Sequence, residues 1–182
     1  HPVIAPAFYH FDDPACRKDA DTFMLGSDVL VAPIVEEGAK ELAVYLPNCE
    51  AGWVDFHSGK HLVGGTWINQ EAPLERLPLF IRSGTVLPLA ESWPDITPHD
   101  ADKVVLTAYC GSQSGTTQGE VFFDDGLTWG HRSGNASLLA WSLTWEQGQA
   151  KLHIEETMSG DHRPDINAAC VGALLNSVTG DV

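Results

Sequence analysis

At 182 residues, the chain has room for one large domain or two small ones, and a content of 43% hydrophobic residues is enough to form a packed core. Twenty-five Asp and Glu against ten Lys and Arg give a formal net charge of −15 at pH 7. This acidity disfavours nucleic acids and anionic membranes as partners, because both are bound through basic patches. A neutral sugar is indifferent to the charge.

No apolar run reaches the roughly 18 residues needed to cross a bilayer, and the opening HPVIAPAFYHF has none of the parts of a signal peptide. The chain starts in strand-like sequence without an initiating Met, which we interpret as a segment of a longer polypeptide. The four cysteines are widely scattered and form no Cys-x-x-Cys pair; they are Cys16, Cys49, Cys110 and Cys170. We expect separate small hydrophobic residues, which favours a reducing compartment such as the cytoplasm.

The apolar pattern in the first half of the chain has mostly a period of two, in short segments separated by Gly and Pro. One short helix is predicted at residues 19–25, because acidic residues begin it and Gly26 can cap its end. The predicted strands are residues 29–35, 42–46, 53–56, 61–63, 66–69, 79–82 and 85–87. The first two strands are expected to pair as a hairpin, and so are the third and fourth, because short turns containing Gly join them.

Residues 90–103 lose this periodicity and are rich in Pro and Asp, which predicts a linker between two β units. In the second unit we expect a polar loop at 111–117 and strands at 104–109, 120–123, 138–145, 150–156 and 168–174. The odd-numbered residues of 138–145 include Trp141 and Trp145, so that face should be buried. Short strands at this spacing indicate an all-β chain with two small β-sandwich domains.

The most conspicuous carboxylate pair is Asp124-Asp125, followed by Gly126. Adjacent residues on a strand point to opposite faces, so these two cannot flank one glycosidic bond as a catalytic pair must. The triplet instead predicts a turn, in which Asp accepts backbone N–H bonds and Gly takes a positive φ. A calcium site on the same oxygens is the minor alternative, because no spaced set of ligands follows.

His10, with Asp12 and Asp13 nearby, has the residue types of a base and its orienting carboxylate, but a structural role is the expectation. Six further histidines are dispersed: His57, His61, His99, His131, His153 and His162. None of them forms the helical i, i+4 pair that metals favour, so no metal site is predicted. The absence of a Gly-x-Ser-x-Gly elbow leaves a serine nucleophile without support.

Six tryptophans raise a sugar-binding hypothesis, because indole rings stack on the apolar faces of pyranoses. They are Trp53, Trp67, Trp93, Trp129, Trp141 and Trp145. Trp93 and Trp129 lie in loop-like sequence and are the two that we expect to face solvent. The others are predicted to lie in β-sandwich cores.

Two stretches carry a resemblance to a known family. Residues 19–46 read DADTFMLGSDVLVAPIVEEGAKELAVYL, and residues 73–88 read PLERLPLFIRSGTVLP. They resemble the motifs QFLLG, LLVAPV, VYLP and PLFVRGGSIIP of family 31 glycoside hydrolases, the α-glucosidase and α-xylosidase group. VFFDDG at 121–126 is similar to the LFWDDG of the family, and WVD at 53–55 is similar to its WYD. Ala5 departs from the pattern, since the family usually has Arg there.

The resemblance implies a retaining α-glycosidase that works without a cofactor, through two aspartates on a (β/α)8 barrel. Those aspartates would lie upstream of His1, so no catalytic, substrate-binding or metal-binding residue is assigned in this chain. By the same resemblance, residues 1–14 would be the last strand segment of the barrel, 15–92 a proximal C-terminal domain and 93–182 a distal one. The implied partners are the barrel of the same polypeptide and, through it, an α-linked sugar.

Two functions therefore stay open. The first is a non-catalytic part of a family 31 α-glycosidase, and the second is a free-standing β-sandwich that binds carbohydrate. Exposed, coplanar tryptophans would favour the binding module. An uncovered apolar patch around Val3, Ile4, Phe8 and Phe11 would favour the supporting role, because such patches mark interaction surfaces.

Overall fold

The computed structural model describes residues 2–19, 21–73, 75–90, 103–160 and 164–179, without the side chains of 174–177. Spatial proximity divides the chain into two compact units, His1–Thr85 and Val86–Val182. Both are built from strands, which confirms the all-β prediction. Helical structure in the described residues is confined to three 3₁₀ helices, at Ala7–Tyr9, Pro14–Arg17 and Gly130–Ser133. No helix in this part of the chain is long and apolar enough to span a membrane.

The first unit is a sandwich of a six-stranded and a two-stranded sheet. Its strands are β1 (Ile4–Pro6), β2 (Phe23–Leu25), β3 (Val29–Val31), β4 (Glu41–Leu46), β5 (Trp53–Asp55), β6 (His61–Leu62), β7 (Thr66–Glu71) and β8 (Leu79–Arg82). The larger sheet has the order β1-β2-β3-β8-β5-β6, and β4 pairs with β7 in the smaller one. The core takes Met24, Leu30, Trp53 and Phe80 from the first sheet and Val44 from the second, and these side chains are fully buried.

The predicted helix at 19–25 is wrong, because none of the described residues in this range is helical and its second half forms β2. Phe23 is half-buried, Met24 is fully buried and Leu25 is exposed, which is the alternation of a strand. This strand pairs antiparallel with β1 on one side and β3 on the other. Pairing on both edges satisfies its backbone groups, so the tertiary structure overrides the local helix signal. The chain has its 3₁₀ turn earlier, at Pro14–Arg17.

The first predicted hairpin is also wrong, because β3 and β4 belong to different sheets. Strand β3 ends at Val31 and pairs with β2 and β8, whereas β4 pairs with β7. Pro33 follows closely and has no N–H for a strand ladder, so the chain leaves the first sheet there. The second predicted hairpin is confirmed, with Trp53 opposite Leu62 and Val54 opposite His61.

The second unit packs a three-stranded sheet against a four-stranded one. Its strands are β9 (Thr85–Ala90), β10 (Lys103–Tyr109), β11 (Gly115–Phe123), β12 (Ser137–Glu146), β13 (Gln149–Met158), β14 (Asp165–Val171) and β15 (Leu174–Thr179). The sheet orders are β14-β10-β9 and β11-β12-β13-β15. The predicted burial of the odd face of β12 is confirmed, since Leu139, Leu143 and Trp145 are buried and Trp141 is half-buried. The predicted linker at 90–103 lies almost wholly outside the described residues.

Two element boundaries in this unit differ from the prediction. The expected polar loop at 111–117 is wrong from Gly115 onward, because β11 begins there and pairs along its whole length with β12. The expected single strand at 168–174 is two strands, joined at Gly172 with φ +84°. The chain changes sheets at this turn, so β14 pairs with β10 and β15 pairs with β13.

Candidate functional site

Large apolar side chains remain exposed where the chain enters the first unit. We call the N-terminal face the set Val3, Ile4, Phe8, Tyr9 and Leu25, whose exposed fractions are 72%, 61%, 44%, 53% and 44%. Ile4 in β1 lies directly opposite Leu25 in β2, so these two side chains share one side of the sheet. A surface of this kind is typical of an interaction site.

Three residues of the face, Val3, Ile4 and Phe8, belong to the patch predicted from the sequence, whereas Tyr9 and Leu25 were not predicted. Phe11 was expected to be uncovered, but it is 9% exposed and belongs to the core. Its ring lies 5.7 Å from that of Trp53, and the Arg82 guanidinium stands 5.8 Å above it. Phe11 therefore anchors the segment that follows the N-terminal face.

Two carboxylates fix this segment to β4. Asp13 accepts hydrogen bonds from the Tyr45 hydroxyl at 2.6 Å, from the Asn48 backbone N–H at 3.2 Å and from the Ala15 backbone N–H at 3.0 Å. Asp19 accepts from the backbone N–H of Tyr45 at 3.1 Å. The segment from 13 to 19 is thus held at two points on one strand.

The hydrogen bond between Asp13 and Tyr45 shifts the pKa values of both side chains. The hydroxyl of Tyr45, followed by the two backbone donors, lowers the pKa of Asp13 below its usual value against the opposing effect of burial. Burial, together with the bond to Asp13, raises the pKa of Tyr45 to about 12. The phenol therefore stays protonated and the carboxylate stays charged at neutral pH, which keeps a charge-assisted hydrogen bond between them.

Beside the hydrogen bond between Asp13 and Tyr45 lies a polar cleft of about 610 Å³. Its lining includes His10, Asp12, Asp13 and Tyr45. His10 Nε2 is buried and has no hydrogen-bond partner within the described residues. The oxygens of Asp13 are bonded to Tyr45 and to backbone donors, so the base-and-carboxylate arrangement considered from the sequence is not assembled here.

The Asp124-Asp125-Gly126 turn is confirmed. Asp124 accepts the Gly126 N–H at 2.9 Å, and Asp125 accepts the backbone N–H groups of Leu127 and Thr128 at 3.1 and 2.9 Å. Gly126 has φ +60°. Both carboxylates are thus engaged with their own turn. Across the described ranges, no three His, Cys, Asp or Glu side chains converge as a metal site.

Four other histidines that the structure describes lie close to hydrogen-bonding groups. His57 Nε2 lies 2.8 Å from the Leu77 carbonyl, and His61 Nε2 lies 3.2 Å from the Ala51 carbonyl. His131 Nδ1 is 3.5 Å from a carboxylate oxygen of Asp124, and His153 Nδ1 is 3.2 Å from the Thr179 hydroxyl. His99 and His162 lie outside the described residues.

The tryptophans divide between core and surface. Trp53 and Trp145 are buried as predicted, and Trp53 donates to the Pro47 carbonyl at 2.9 Å. Trp129 is 69% exposed, as predicted, with the Arg132 guanidinium 4.0 Å above its ring. Trp67 was expected in the core but is 51% exposed, because it lies on the outer side of a two-stranded sheet. Trp93 lies outside the described residues.

All four cysteines are free thiols, but two of them are not separate, contrary to the prediction. Cys110 and Cys170 bring their sulfurs to 3.4 Å, although they are 60 residues apart in the chain. Sequence spacing gave no signal for this pair, because it depends on the parallel pairing of β10 with β14. Cys16 is buried in the first unit, and its burial raises the pKa of its thiol to about 11.

Comparison with known proteins supplies the family. The family model described as "Glycosyl hydrolase family 31 C-terminal domain" matches residues 1–87. Residues 1–87 are a C-terminal domain of this family. Among the relatives, an α-xylosidase of Saccharolobus solfataricus is 31% identical over 84% of this chain and 20% of its own length. A probable glucan 1,3-α-glucosidase of Arabidopsis thaliana is 33% identical over 74% of this chain and 14% of its own length.

The likeness extends to solved structures and past residue 87. The family 31 α-xylosidase of Xanthomonas citri is similar over 96% of this chain, with a TM-score of 0.76 and 28% identity. The match covers 19% of that enzyme, so the chain spans a fifth or less of the length of the relatives described here. Within the family 31 domain, Ala5 is 3% exposed and lies opposite Met24, so it belongs to the buried side of β1.

Proposed function

We propose that this chain is the non-catalytic C-terminal part of a family 31 retaining α-glycosidase, an enzyme that hydrolyses O-glycosyl bonds, and that it supports a catalytic (β/α)8 barrel in the same polypeptide. Residues 1–14 are its connection to the barrel. The rest of the first unit is the proximal domain, and the second unit is the distal domain. The α-linked sugar binds on the barrel, and this chain supplies no catalytic residue, cofactor or metal.

The N-terminal face is the observation that carries the proposal. Val3 and Ile4 are uncovered on the segment that would connect to a barrel, while Asp13 and Asp19 hold the following residues in place. Full burial of a Val or Ile side chain is worth about 1.5–3 kcal/mol relative to exposure. A barrel that packs on this face would therefore gain this burial free energy for several side chains, on a surface that is already ordered.

The carboxylates support a non-catalytic role. A retaining glycosidase needs two carboxyl groups about 5–5.5 Å apart that reach the sugar from both sides of the bond. Asp124 and Asp125 instead accept hydrogen bonds from the backbone of their own turn, and Asp13 and Asp19 hold β4. Because the relatives are named as α-xylosidases and α-glucosidases, aryl α-xylosides and α-glucosides are the substrates to test.

The test compares this 182-residue chain with a polypeptide that extends it upstream to a complete barrel. We expect hydrolysis by the long polypeptide and none by the short one. In the long polypeptide, Val3→Asp and Ile4→Asp should lower the melting temperature and the specific activity. Val63→Asp is the matched control, because Val63 is also 72% exposed in the same unit but lies away from β1 in sequence.

Two results would contradict the proposal. Hydrolysis by the short chain would require a carboxylate pair within it. Equal behaviour of the Val3→Asp and Val63→Asp variants in the long polypeptide would show that the N-terminal face is not buried by the barrel.

The second candidate, a carbohydrate-binding module, is favoured by the exposure of Trp67 and Trp129. Each described unit thus presents one strongly exposed indole. Arg132 already occupies one face of Trp129, which leaves a single face for a sugar ring. Affinity electrophoresis in a gel that contains soluble α-glucan tests the binding module. Retarded migration that Trp67→Ala or Trp129→Ala abolishes would establish carbohydrate binding by that indole. Migration without retardation would exclude binding to that glucan.

A further inference from the structure

The parallel pair β10 and β14 places two thiols side by side in the second unit. Cys170 in β14 lies opposite Ala108 in β10, and Cys110 follows two residues later, so both cysteines lie on one side of the sheet. Their sulfurs are 3.4 Å apart. Both side chains pack with the core of the unit, where Cys110 is fully buried and Cys170 is half-buried.

We propose that Cys110 and Cys170 are a reversible dithiol–disulfide site, oxidised by a low-molecular-weight disulfide such as oxidised glutathione. The bond would tie β14 to β10 and close a loop of 60 residues. This site is independent of the N-terminal face and of the proposed glycosidase role.

The geometry leaves a short distance to close. A disulfide has sulfurs about 2.05 Å apart, so they must approach by about 1.4 Å from the observed contact. Cys110 lies just past the end of β10 and Cys170 just before the turn at Gly172, where φ is +84°. Cys110 is displaced by two residues from Ala108, the partner of Cys170, so closure also requires these strand ends to bring the two Cα atoms within about 7 Å.

The two cysteines have different roles in the exchange. The two thiols share a hydrogen bond in which either sulfur can be the donor. This contact, aided by the backbone of Ala173, lowers the pKa of Cys170 against the opposing effect of burial. The same contact, with burial, raises the pKa of Cys110. Cys170 is half-buried and Cys110 is fully buried, so Cys170 is the sulfur that a reagent meets first and Cys110 is the resolving thiol.

The exchange balances in two steps. The Cys170 thiolate attacks one sulfur of oxidised glutathione, forms a mixed disulfide and releases one glutathione thiolate. Cys110 then loses its proton to solvent or to that thiolate, attacks the Cys170 sulfur and releases the second glutathione. Two protein thiols are oxidised, and one glutathione disulfide is reduced to two glutathione molecules.

The test is a thiol count on the intact chain equilibrated across a range of glutathione redox ratios, followed by alkylation under denaturing conditions and peptide mass mapping. We expect four alkylated cysteines under reducing conditions and two under oxidising conditions, with a linked peptide that contains Cys110 and Cys170. The oxidised form should melt about 5 °C or more above the reduced form.

Single variants distinguish the attacking thiol, Cys170, from the resolving thiol, Cys110. Cys110→Ala should stop at the mixed glutathione disulfide on Cys170, while Cys170→Ala should leave Cys110 as an alkylatable thiol. The double variant Cys16→Ala/Cys49→Ala is the matched control and should form the same cross-link as the parent. Mapping of the parent chain needs no variant, so it decides the proposal even where a substitution impairs folding.

Three outcomes would overturn the inference: four alkylatable thiols at every redox ratio, a mixed disulfide on Cys170 that never converts in the parent chain, or a cross-link that uses Cys16 or Cys49. None of them bears on the barrel-supporting role, which is tested by hydrolysis and by the N-terminal face variants.

Discussion

Removing the Tyr45 hydroxyl tests whether the segment from 13 to 19 is held on β4 by the hydrogen bond between Tyr45 and Asp13. The Tyr45→Phe substitution keeps the ring, which is 7% exposed, and removes only the 2.6 Å hydrogen bond to Asp13. Asp13 keeps its two backbone donors, at Ala15 and Asn48. The change therefore isolates one bond between the segment and the sandwich.

The expected loss is about 1.5 kcal/mol in the free energy of unfolding. Hydrogen bonds to charged groups contribute about 1.5–3 kcal/mol, and the lower value applies because Asp13 is partly exposed. For a unit of about 85 residues, each kcal/mol corresponds to a shift of about 4–8 °C in melting temperature. We thus expect the first unit to melt about 6–12 °C lower.

A double-mutant cycle separates the free energy of the hydrogen bond from the other effects of changing the two side chains. Urea unfolding of the parent, Tyr45→Phe, Asp13→Ala and the double variant should give a coupling energy of about 1.5 kcal/mol at pH 7, because alanine leaves no acceptor for the hydroxyl. Asp12→Ala, which removes the same charge and side chain at the exposed neighbouring residue, is the control for Asp13→Ala.

The coupling should depend on pH in one direction. The pKa of Asp13 is lowered from 3.8 in the folded state. Its stabilisation is therefore complete above the unfolded value and is lost as the pH falls through the lower folded value. A coupling energy below about 0.5 kcal/mol at pH 7, or one that is unchanged in acid, would refute the assigned bond.

Two further substitutions test packing and turn chemistry. Gly119→Ala should destabilise the second unit by about 1–3 kcal/mol in urea unfolding, because its Cβ would lie 2.5 Å from the Trp141 ring; unchanged stability would show that this ring moves freely. Asp55→Ala should cost about 1–3 kcal/mol in the same assay, because its buried carboxylate accepts from the N–H and hydroxyl of Ser58 at 2.6 and 2.7 Å. Asp55→Asn, which retains one acceptor, should cost less, and an equal cost would count against the hydrogen bonds as the cause.

Features encoded in one short stretch were predictable from the sequence. The β5–β6 hairpin follows from its Ser-Gly-Lys turn, and the Asp124-Asp125-Gly126 turn follows from the hydrogen-bonding habits of its residues. The alternation along β12 identifies its buried face, because the large apolar residues recur at every second position. Each of these rests on neighbours in the chain.

Features that depend on distant partners were not predictable in this way. The first half of β11 has Gly115, Thr117 and Gly119 on the side that faces the core, which gives no apolar signal. The apolar surface there comes from the opposite strand, since Trp145 and Trp141 lie over the two glycines. The three-residue strand β2 has the same origin, because Met24 is buried by strands on both sides. The residue pattern within one strand does not indicate which strands will pack against it.

The distribution of charge along the N-terminal segment would suit burial in the proposed assembly. The chain carries a net charge of −15, yet residues 2–11 contain no Asp, Glu, Lys or Arg. Charged residues are depleted at the centres of protein interfaces, where their desolvation would be costly. The charged groups resume at Asp12 and Asp13, and Asp13 holds the segment to β4. A surface that is fixed before docking loses less conformational entropy on association. In the proposed assembly, the bond between Asp13 and Tyr45 would order the surface, and the segment without charged residues would gain free energy when it is covered.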